Sequence, residues 1–249
     1  MAQFWRVVND VIWSADVLLL LLDARMVGST RNIEIENKVR NMGKPLIYVI
    51  SKCDLVSQGE AERWKKALNP AVFVSATEYH GINMLKERIM IEAKRAGIKE
   101  QIFVGVLGYP NVGKSSLINA MVGRKAAAVS ILSGHTKHLQ KIKASQSIVF
   151  LDTPGVIPYN EKDEIKHAFI GTIDFTKAKE PDLVVMELME EFPGRIEEYF
   201  KVEAKDDKED VINDIAVKKK ILKKKGLPDI ERTARMILKD WQKGVIKNK

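Results

Sequence analysis

Eight consecutive residues, Gly108-Tyr109-Pro110-Asn111-Val112-Gly113-Lys114-Ser115, fit the pattern G-x-x-x-x-G-K-[ST]. Glycines at 108 and 113 let the backbone N–H groups of Val112, Gly113, Lys114, Ser115 and Ser116 curl around a polyphosphate, an anion nest at a helix start. In this chemistry Lys114 reaches the β- and γ-phosphates, and the Ser115 hydroxyl holds Mg²⁺. The apolar run Ile102–Leu107 precedes the motif and the helical stretch Ser115–Met121 comes after it, the context that gives the pattern its meaning. Asp152-Thr153-Pro154-Gly155 ends a second apolar run, Ile148–Leu151. Asp152 is placed to face the metal through water, and the Gly155 N–H to sense a γ-phosphate.

Two further segments have the chemistry to read a purine. Asp54, in Ser51-Lys52-Cys53-Asp54, can accept hydrogen bonds from N1–H and the exocyclic amine of guanine, which adenine does not offer in that arrangement. Lys52 would lie along the base through its stem, and the Ala76 N–H, in Ser75-Ala76-Thr77, would meet guanine O6. Both segments precede the phosphate loop, whereas an ordinary GTPase domain runs phosphate loop, switches, then base readers. With its parts cyclically rotated, the chain resembles the circularly permuted GTPases of the YlqF/YawG type, which are tied to ribosome assembly. The resemblance covers nearly the whole chain. It includes Asp23-Ala24-Arg25, which matches the segment that opens the guanine nucleotide domain in this family, although Met26 and Val27 come next where a proline is usual nearby. It implies GTP and GDP as ligands and Thr136, in Ser133-Gly134-His135-Thr136, as the residue that completes the Mg²⁺ shell. The family pattern Asn-Lys-x-Asp has Ser51 at its first position here. Serine is shorter and lacks an amide, so a weaker brace between base loop and phosphate loop, and a weakened guanine preference, are expected.

Ras-like enzymes position the attacking water with a glutamine after this second switch motif. Here Val156 stands directly after Gly155, and an apolar side chain cannot orient water. Slow intrinsic turnover with help from elsewhere is therefore expected. Asn111 matches the phosphate-loop asparagine that binds K⁺ in similar cation-dependent GTPases, and K⁺ there would offset γ-phosphate charge. His135 beside the switch threonine is a second candidate, and RNA or ribosomal protein acting in trans a third. The family's catalytic histidine lies ahead of the first helix, and no histidine precedes His80 in this sequence.

Hydrophobic pattern indicates the elements that must hold these loops. Val17–Leu22, Leu46–Ile50 and Ala71–Val74, with the two runs already named, have the length of strands buried in parallel sheets. Helical spacing covers residues 4–12 and the stretches Ile33–Met42, Glu60–Ala67 and Ile82–Ala96. This alternation predicts an α/β fold, a circularly permuted Ras-like domain with a mostly parallel sheet and helices on both faces. Five loops would then converge on the carboxyl edge of the sheet, with Gly97–Gln101 joining the ancestral termini. From about Lys177 strand-like runs fade, and Leu183–Glu190, Ile196–Phe200, Val211–Leu222 and Ile230–Trp241 read as helices. The expected domains are 1–176, the permuted GTPase domain, and 177–249, a small helical, basic, RNA-binding domain.

Bulk properties agree with this division. The 249 residues, 45% hydrophobic and 30% charged, have ordinary globular composition. A net charge of +8 favours an anionic partner, and from Lys218 to Lys249 twelve Lys or Arg face only Asp229, Glu231 and Asp240. Lys218, Lys219 and Lys220, then Lys223, Lys224 and Lys225, form two triplets, with Arg232, Arg235, Lys239 and Lys243 expected outward on the last helix. Such a surface suits the phosphate backbone of folded ribosomal RNA, read by shape, in the pre-ribosomal large subunit; DNA is not expected. The alternative is a GTP-gated regulator that binds a protein or an acidic membrane surface. Cys53, the only cysteine, excludes an intrachain disulfide, and the longest apolar run is too short to cross a bilayer. A cytoplasmic protein, monomeric in isolation, is expected.

Overall fold

The computed structural model describes residues 2–123, 140–153, 155–158, 161 and 163–247. It divides into two compact units, Met1–Glu161 and Lys162–Lys249. The division falls earlier than the compositional change at 176/177: the segment from Lys162 onward contributes its helix to the second unit.

In the first unit α1 (Ala2–Ser14) leads into β1 (Val17–Asp23), then α2 (Val27–Thr30) and α3 (Ile33–Asn41). Next come β2 (Leu46–Ser51), α4 (Gln58–Ala67), β3 (Ala71–Val74) and α5 (Ile82–Arg95). Past the exposed connection at Gly97–Gln101 lie β4 (Ile102–Gly108), α6 (Lys114–Val122), β5 (Gln140–Lys143) and β6 (Ile148–Asp152). The strands form one sheet in the order β3-β2-β1-β4-β6-β5. All neighbours are parallel except β5, which pairs antiparallel with β6 at one edge. Counted from the phosphate-loop strand β4 as the first, the order is 6-5-4-1-3-2, the Ras-like order with its start moved. β5 is not among the expected strands; Gln140-Lys141-Ile142-Lys143 alternates polar and apolar like a strand with one wet face, too short to stand out.

β1 is buried along all seven residues, which is why its sequence is an unbroken apolar run rather than an alternating one. Trp5, Val8, Val11 and Ile12 of α1 close one face of this core, and Ile35 and Val39 of α3 join it. Register then sets the edge that matters. Asp23 pairs with Ser51, Ser51 with Val74, Leu21 with Gly108, and Val106 with Asp152. The loops after β1, β2, β3, β4 and β6 therefore leave the sheet side by side. Between β1 and β4 the chain's later strands run off in opposite directions, which opens a crevice at the carboxyl ends of those two strands.

The second unit is helical: α7 (Glu164–Phe169), α8 (Pro181–Glu191), α9 (Arg195–Phe200), α10 (Lys208–Lys218) and α11 (Ile230–Gln242). Trp241 is fully buried, its ring 5.0 Å from that of Phe192, and its indole N–H donates to the Phe169 carbonyl at 2.9 Å. The helix expected over Val211–Leu222 stops at Lys218. Lys220 takes a left-handed turn (φ 59°), and Ile221 N–H bonds back to the Ala216 carbonyl at 2.8 Å, a C-terminal cap. Beyond it lies a tight hairpin closed by a Leu222–Pro228 bridge. Among the described residues no helix is long and apolar enough to cross a membrane.

Candidate functional site

Gly108 ends β4 with φ 144°, and a Cβ there would lie 2.7 Å from the Leu21 carbonyl oxygen, so only glycine lets β4 turn this close to β1. The loop continues through Asn111 (φ 61°) and Gly113 (φ 104°) into α6. Ser115 and Ser116 are half-buried in the first turn of α6, and Val112 is buried. Lys114 is 7% exposed, and its ammonium donates to the carbonyls of Gly108 at 3.1 Å and Tyr109 at 2.7 Å. Burial pulls the pKa of this ammonium down to about 8, with Asp152 opposing the shift.

Asp152, at the end of β6, is 1% exposed, and its Oδ1 has no hydrogen-bond partner among the described residues. Burial raises its pKa, against the pull of Lys114 and of the Thr153 N–H. Thr153 Oγ1 donates to the Val106 carbonyl at 2.6 Å and pins the segment to β4. Gly155 packs on the phosphate loop: a Cβ there would sit 2.4 Å from Pro110 N and 2.5 Å from its Cα, so no larger residue fits. Val156 N–H donates to the Gly108 carbonyl at 3.2 Å, and the Val156 side chain is buried. The start of α6 thus carries a buried cation, and the end of β6 a buried carboxylate whose Oδ1 has no hydrogen-bond partner among the described residues. A polyanion satisfies the former and a divalent cation the latter. The donor set of Ser115 and Asp152 fits Mg²⁺ on that ground.

The base-reading loops stand beside this. Ser51, 6% exposed, does supply a brace, through one hydroxyl in place of the usual amide. Its hydroxyl lies 2.6 Å from the Val112 carbonyl and 2.9 Å from that of Leu22. One hydroxyl proton serves one of them at a time, and either bond ties the base loop to the strand ends. Asp54 is half-buried in the short turn Cys53–Leu55. Lys52 does not lie free: its backbone is left-handed (φ 55°) and its Nζ donates to Asp23 Oδ2 at 2.7 Å. Ser75 is buried, with its Oγ 3.1 Å from Thr77 Oγ1, and a Ser75–His80 bridge closes the turn that carries the half-buried Ala76. Thr136 and His135 lie outside the described residues.

Two features have no counterpart in the sequence-based expectations. Asp23, part of a segment that marks the family, is a buried acceptor for both Arg25 and Lys52. Tyr109 is fully buried in the phosphate loop and donates to Glu161 at 2.9 Å. Its only signal in the sequence is an aromatic residue in a loop otherwise built of small ones.

In the second unit, the lysines from 218 to 225 are all exposed on or beside the hairpin. Lys218 Nζ lies 2.5 Å from the Lys201 carbonyl, and Lys219 sits 5.4 Å over the Phe200 ring. Arg232, Lys239 and Lys243 are exposed on or just after α11. Arg235, expected to face outward, is instead engaged. Its guanidinium donates to the carbonyls of Phe175 at 3.0 Å and Thr176 at 3.1 Å, and pairs with Glu231 at 2.9 Å.

Comparison with known proteins agrees with this geometry. Residues 36–160 match the family model described as RsgA GTPase, and residues 103–223 the one described as 50S ribosome-binding GTPase. The chain belongs to the circularly permuted GTPases. Its fold is that of the YlqF type. A GTP-binding protein of Methanocaldococcus jannaschii is 38% identical over 96% of this chain and 65% of its own length. Nucleolar GTP-binding protein 2 of Saccharomyces cerevisiae is 32% identical over 98% of this chain and 52% of its own. The chain thus spans about two thirds to one half of the curated relatives it matches. The GNP-bound crystal structure of YlqF from T. maritima shares the fold, with a TM-score of 0.65 at 20% identity, covering 98% of this chain and 94% of that one.

The buried ammonium gives a pH test. The Lys114 pKa falls from an ordinary 10.5 to about 8 in the fold. Between those values the unfolded chain holds the proton that the folded chain has lost, so stability rises with pH across that window. The unfolding free energy of the unliganded protein minus that of Lys114→Met should be flat below pH 8 and climb toward pH 10, by on the order of 1–3 kcal/mol. Urea titrations at pH 7, 9 and 10 measure this; a flat difference would show that Lys114 carries no burial penalty.

Proposed function

We propose that the chain binds and hydrolyses GTP and acts as an RNA-binding assembly factor for the large ribosomal subunit, its nucleotide switch coupled to the basic helical unit. The observation that carries the reading is the register that sets Ser51, Val74, Gly108 and Asp152 along one sheet edge. Base readers, phosphate loop and switch aspartate then share one crevice although they are far apart in the sequence.

In this reading Lys114 exchanges the Gly108 and Tyr109 carbonyls for β- and γ-phosphate oxygens, while the N–H groups from Val112 to Ser116 cradle the chain of phosphates. Asp54 accepts from the guanine N1–H and amine, and the Ala76 N–H donates to O6. Ser115 and Asp152, with Thr136, would hold Mg²⁺, which when bound neutralises phosphate charge. Gly155 offers its N–H to the γ-phosphate. Val156, apolar and buried, leaves water orientation to another group. Asn111 holding K⁺, together with the assembly surface, supplies what Val156 lacks. The lysines of the hairpin and Arg232, Lys239 and Lys243 contact RNA phosphates; the description of the family model over residues 103–223 supports a large-subunit partner. Exposed Val217, Leu222 and Leu227 among those lysines are what a protein- or membrane-binding regulator would use instead.

Three measurements test the parts separately. Labelled GTP should resist displacement by excess ATP, and Asp54→Ala should weaken GTP on the order of a hundredfold, through loss of two hydrogen bonds to a charged group. Full displacement by ATP would reject guanine recognition. Turnover in K⁺ buffer should exceed that in Na⁺ buffer, and Asn111→Ala should erase the difference; equal rates in the wild type remove Asn111 from the mechanism. Filter binding to ribosomal RNA fragments should weaken steeply with salt. The Lys223→Gln, Lys224→Gln, Lys225→Gln triple variant should lower the log–log slope by about 3. A weak, salt-independent response would instead favour the regulator.

A further inference from the structure

Asp23-Ala24-Arg25 has no part in the nucleotide chemistry above, yet it buries opposite charges beside the base loop. Asp23 is 1% exposed and Arg25 6%. Arg25 engages both carboxylate oxygens, Nε to Oδ1 at 3.0 Å and Nη2 to Oδ2 at 2.8 Å. The Arg25 backbone N–H adds a third bond to Oδ1 at 3.1 Å, so the carboxylate is fixed in orientation. What remains of Oδ2 points to Lys52, whose Nζ lies 2.7 Å away.

Lys52 reaches Asp23 from the next strand. Its Cα comes directly after Ser51, the register partner of Asp23, and is held in a left-handed turn. The methylene stem is therefore anchored at both ends, by the backbone at the end of β2 and by Asp23 at the end of β1. About a quarter of the side chain is exposed. Burial alone would raise the Asp23 pKa, but Arg25 and Lys52 overcome it and hold the carboxyl well below the usual range. Burial, and then the neighbouring Arg25, lower the Lys52 pKa, and Asp23 is the largest influence that opposes them and favours the ammonium there.

We propose that Asp23, clamped by Arg25, is a positioning residue that fixes Lys52 before ligand arrives, so that its apolar stem forms one ready wall of the purine slot. A lysine loses much rotamer freedom when ordered, and ordering it in advance removes that cost from the binding step. The inference rests on the guanine-nucleotide reading and adds to it a residue that never touches the ligand.

A double-mutant cycle tests it. N-methylanthraniloyl-GDP is titrated into wild type, Asp23→Asn, Lys52→Met and the double variant. Each single change should weaken binding about tenfold, and the double should be no weaker than Lys52→Met by more than about twofold, because Asp23 acts through Lys52. Losses that multiply to about a hundredfold would overturn the positioning role and leave Asp23 a purely structural residue. The variant Asp23→Asn with Arg25→Gln removes both charges of the Asp23–Arg25 pair together; it should fold and still bind weakly, and failure of both Asp23 variants to fold would equally assign the pair to the fold alone. Wild type and Asp23→Asn binding alike would sink this inference and spare the nucleotide reading. A wild type that binds no GDP analogue sinks both.

Discussion

A buried ammonium and a buried carboxylate that do not satisfy each other govern this site. Lys114 rests on two loop carbonyls, and Asp152 keeps an oxygen without a partner among the described residues. Both charged forms are disfavoured by burial, with the Lys114 pKa pushed down and that of Asp152 up. At Asp23, by contrast, Arg25 and Lys52 overcome burial and hold the carboxyl below its usual range. The contrast within one crevice separates a finished interaction from an unfinished one. In the proposed function a polyphosphate with a divalent cation would complete the unfinished one, the cation meeting Asp152 and the phosphates Lys114.

Such a site survives permutation because it depends on strand ends and not on chain order. β1, fully buried, carries Asp23 between the base loop after β2 and the phosphate loop after β4. Ser51 joins the same two loops when its hydroxyl donates to the Val112 carbonyl. Chain connectivity could be cut at any exposed turn while these lateral bonds remained. The junction at Gly97–Gln101 is exposed and lies away from the edge that holds the ligand loops, between the end of α5 and the start of β4.

Much of this is legible in the sequence because strands buried on both faces write themselves as unbroken apolar runs, and the loops after them carry motifs with fixed spacing. The sheet, its parallel sense and the convergence of five loops follow from those two facts. The illegible part depends on lateral contact. The reach of Lys52 to Asp23, 29 residues away, and of Ser51 to Val112, 61 residues away, comes from register, which no local pattern states. Ser51 departs from expectation because an amide is the usual brace at its position, whereas here a hydroxyl reaches the phosphate-loop carbonyl across the strand ends. The end of α10 falls earlier than its apolar pattern suggests for a different reason. Lysine occupies the left-handed capping position, where glycine or asparagine is the readable stop signal. Helical phase alone assigns Arg235 to solvent, and it cannot see the carbonyls of Phe175 and Thr176 arriving from another segment.

Permutation also redirects the chain after the switch. Beyond Asp152 it does not return to the sheet; it proceeds through Gly155 and Val156 to Glu161, and the helical unit begins at the next residue. Along that path three contacts hold it to the phosphate loop: Gly155 against Pro110, Val156 N–H on the Gly108 carbonyl, and Tyr109 on Glu161. The Gly108 carbonyl that receives Val156 is also one of the two that hold Lys114. A lysine leaving that carbonyl for a phosphate alters the acceptor on which the outgoing segment hangs. The Tyr109 carbonyl loses the same lysine while the Tyr109 side chain holds the last residue before the helical unit. In the proposed function phosphate occupancy would therefore act on both ends of this connection through atoms of the loop itself. In the proposed function the covalent chain beyond Glu161 would carry such loop movements directly to the second unit.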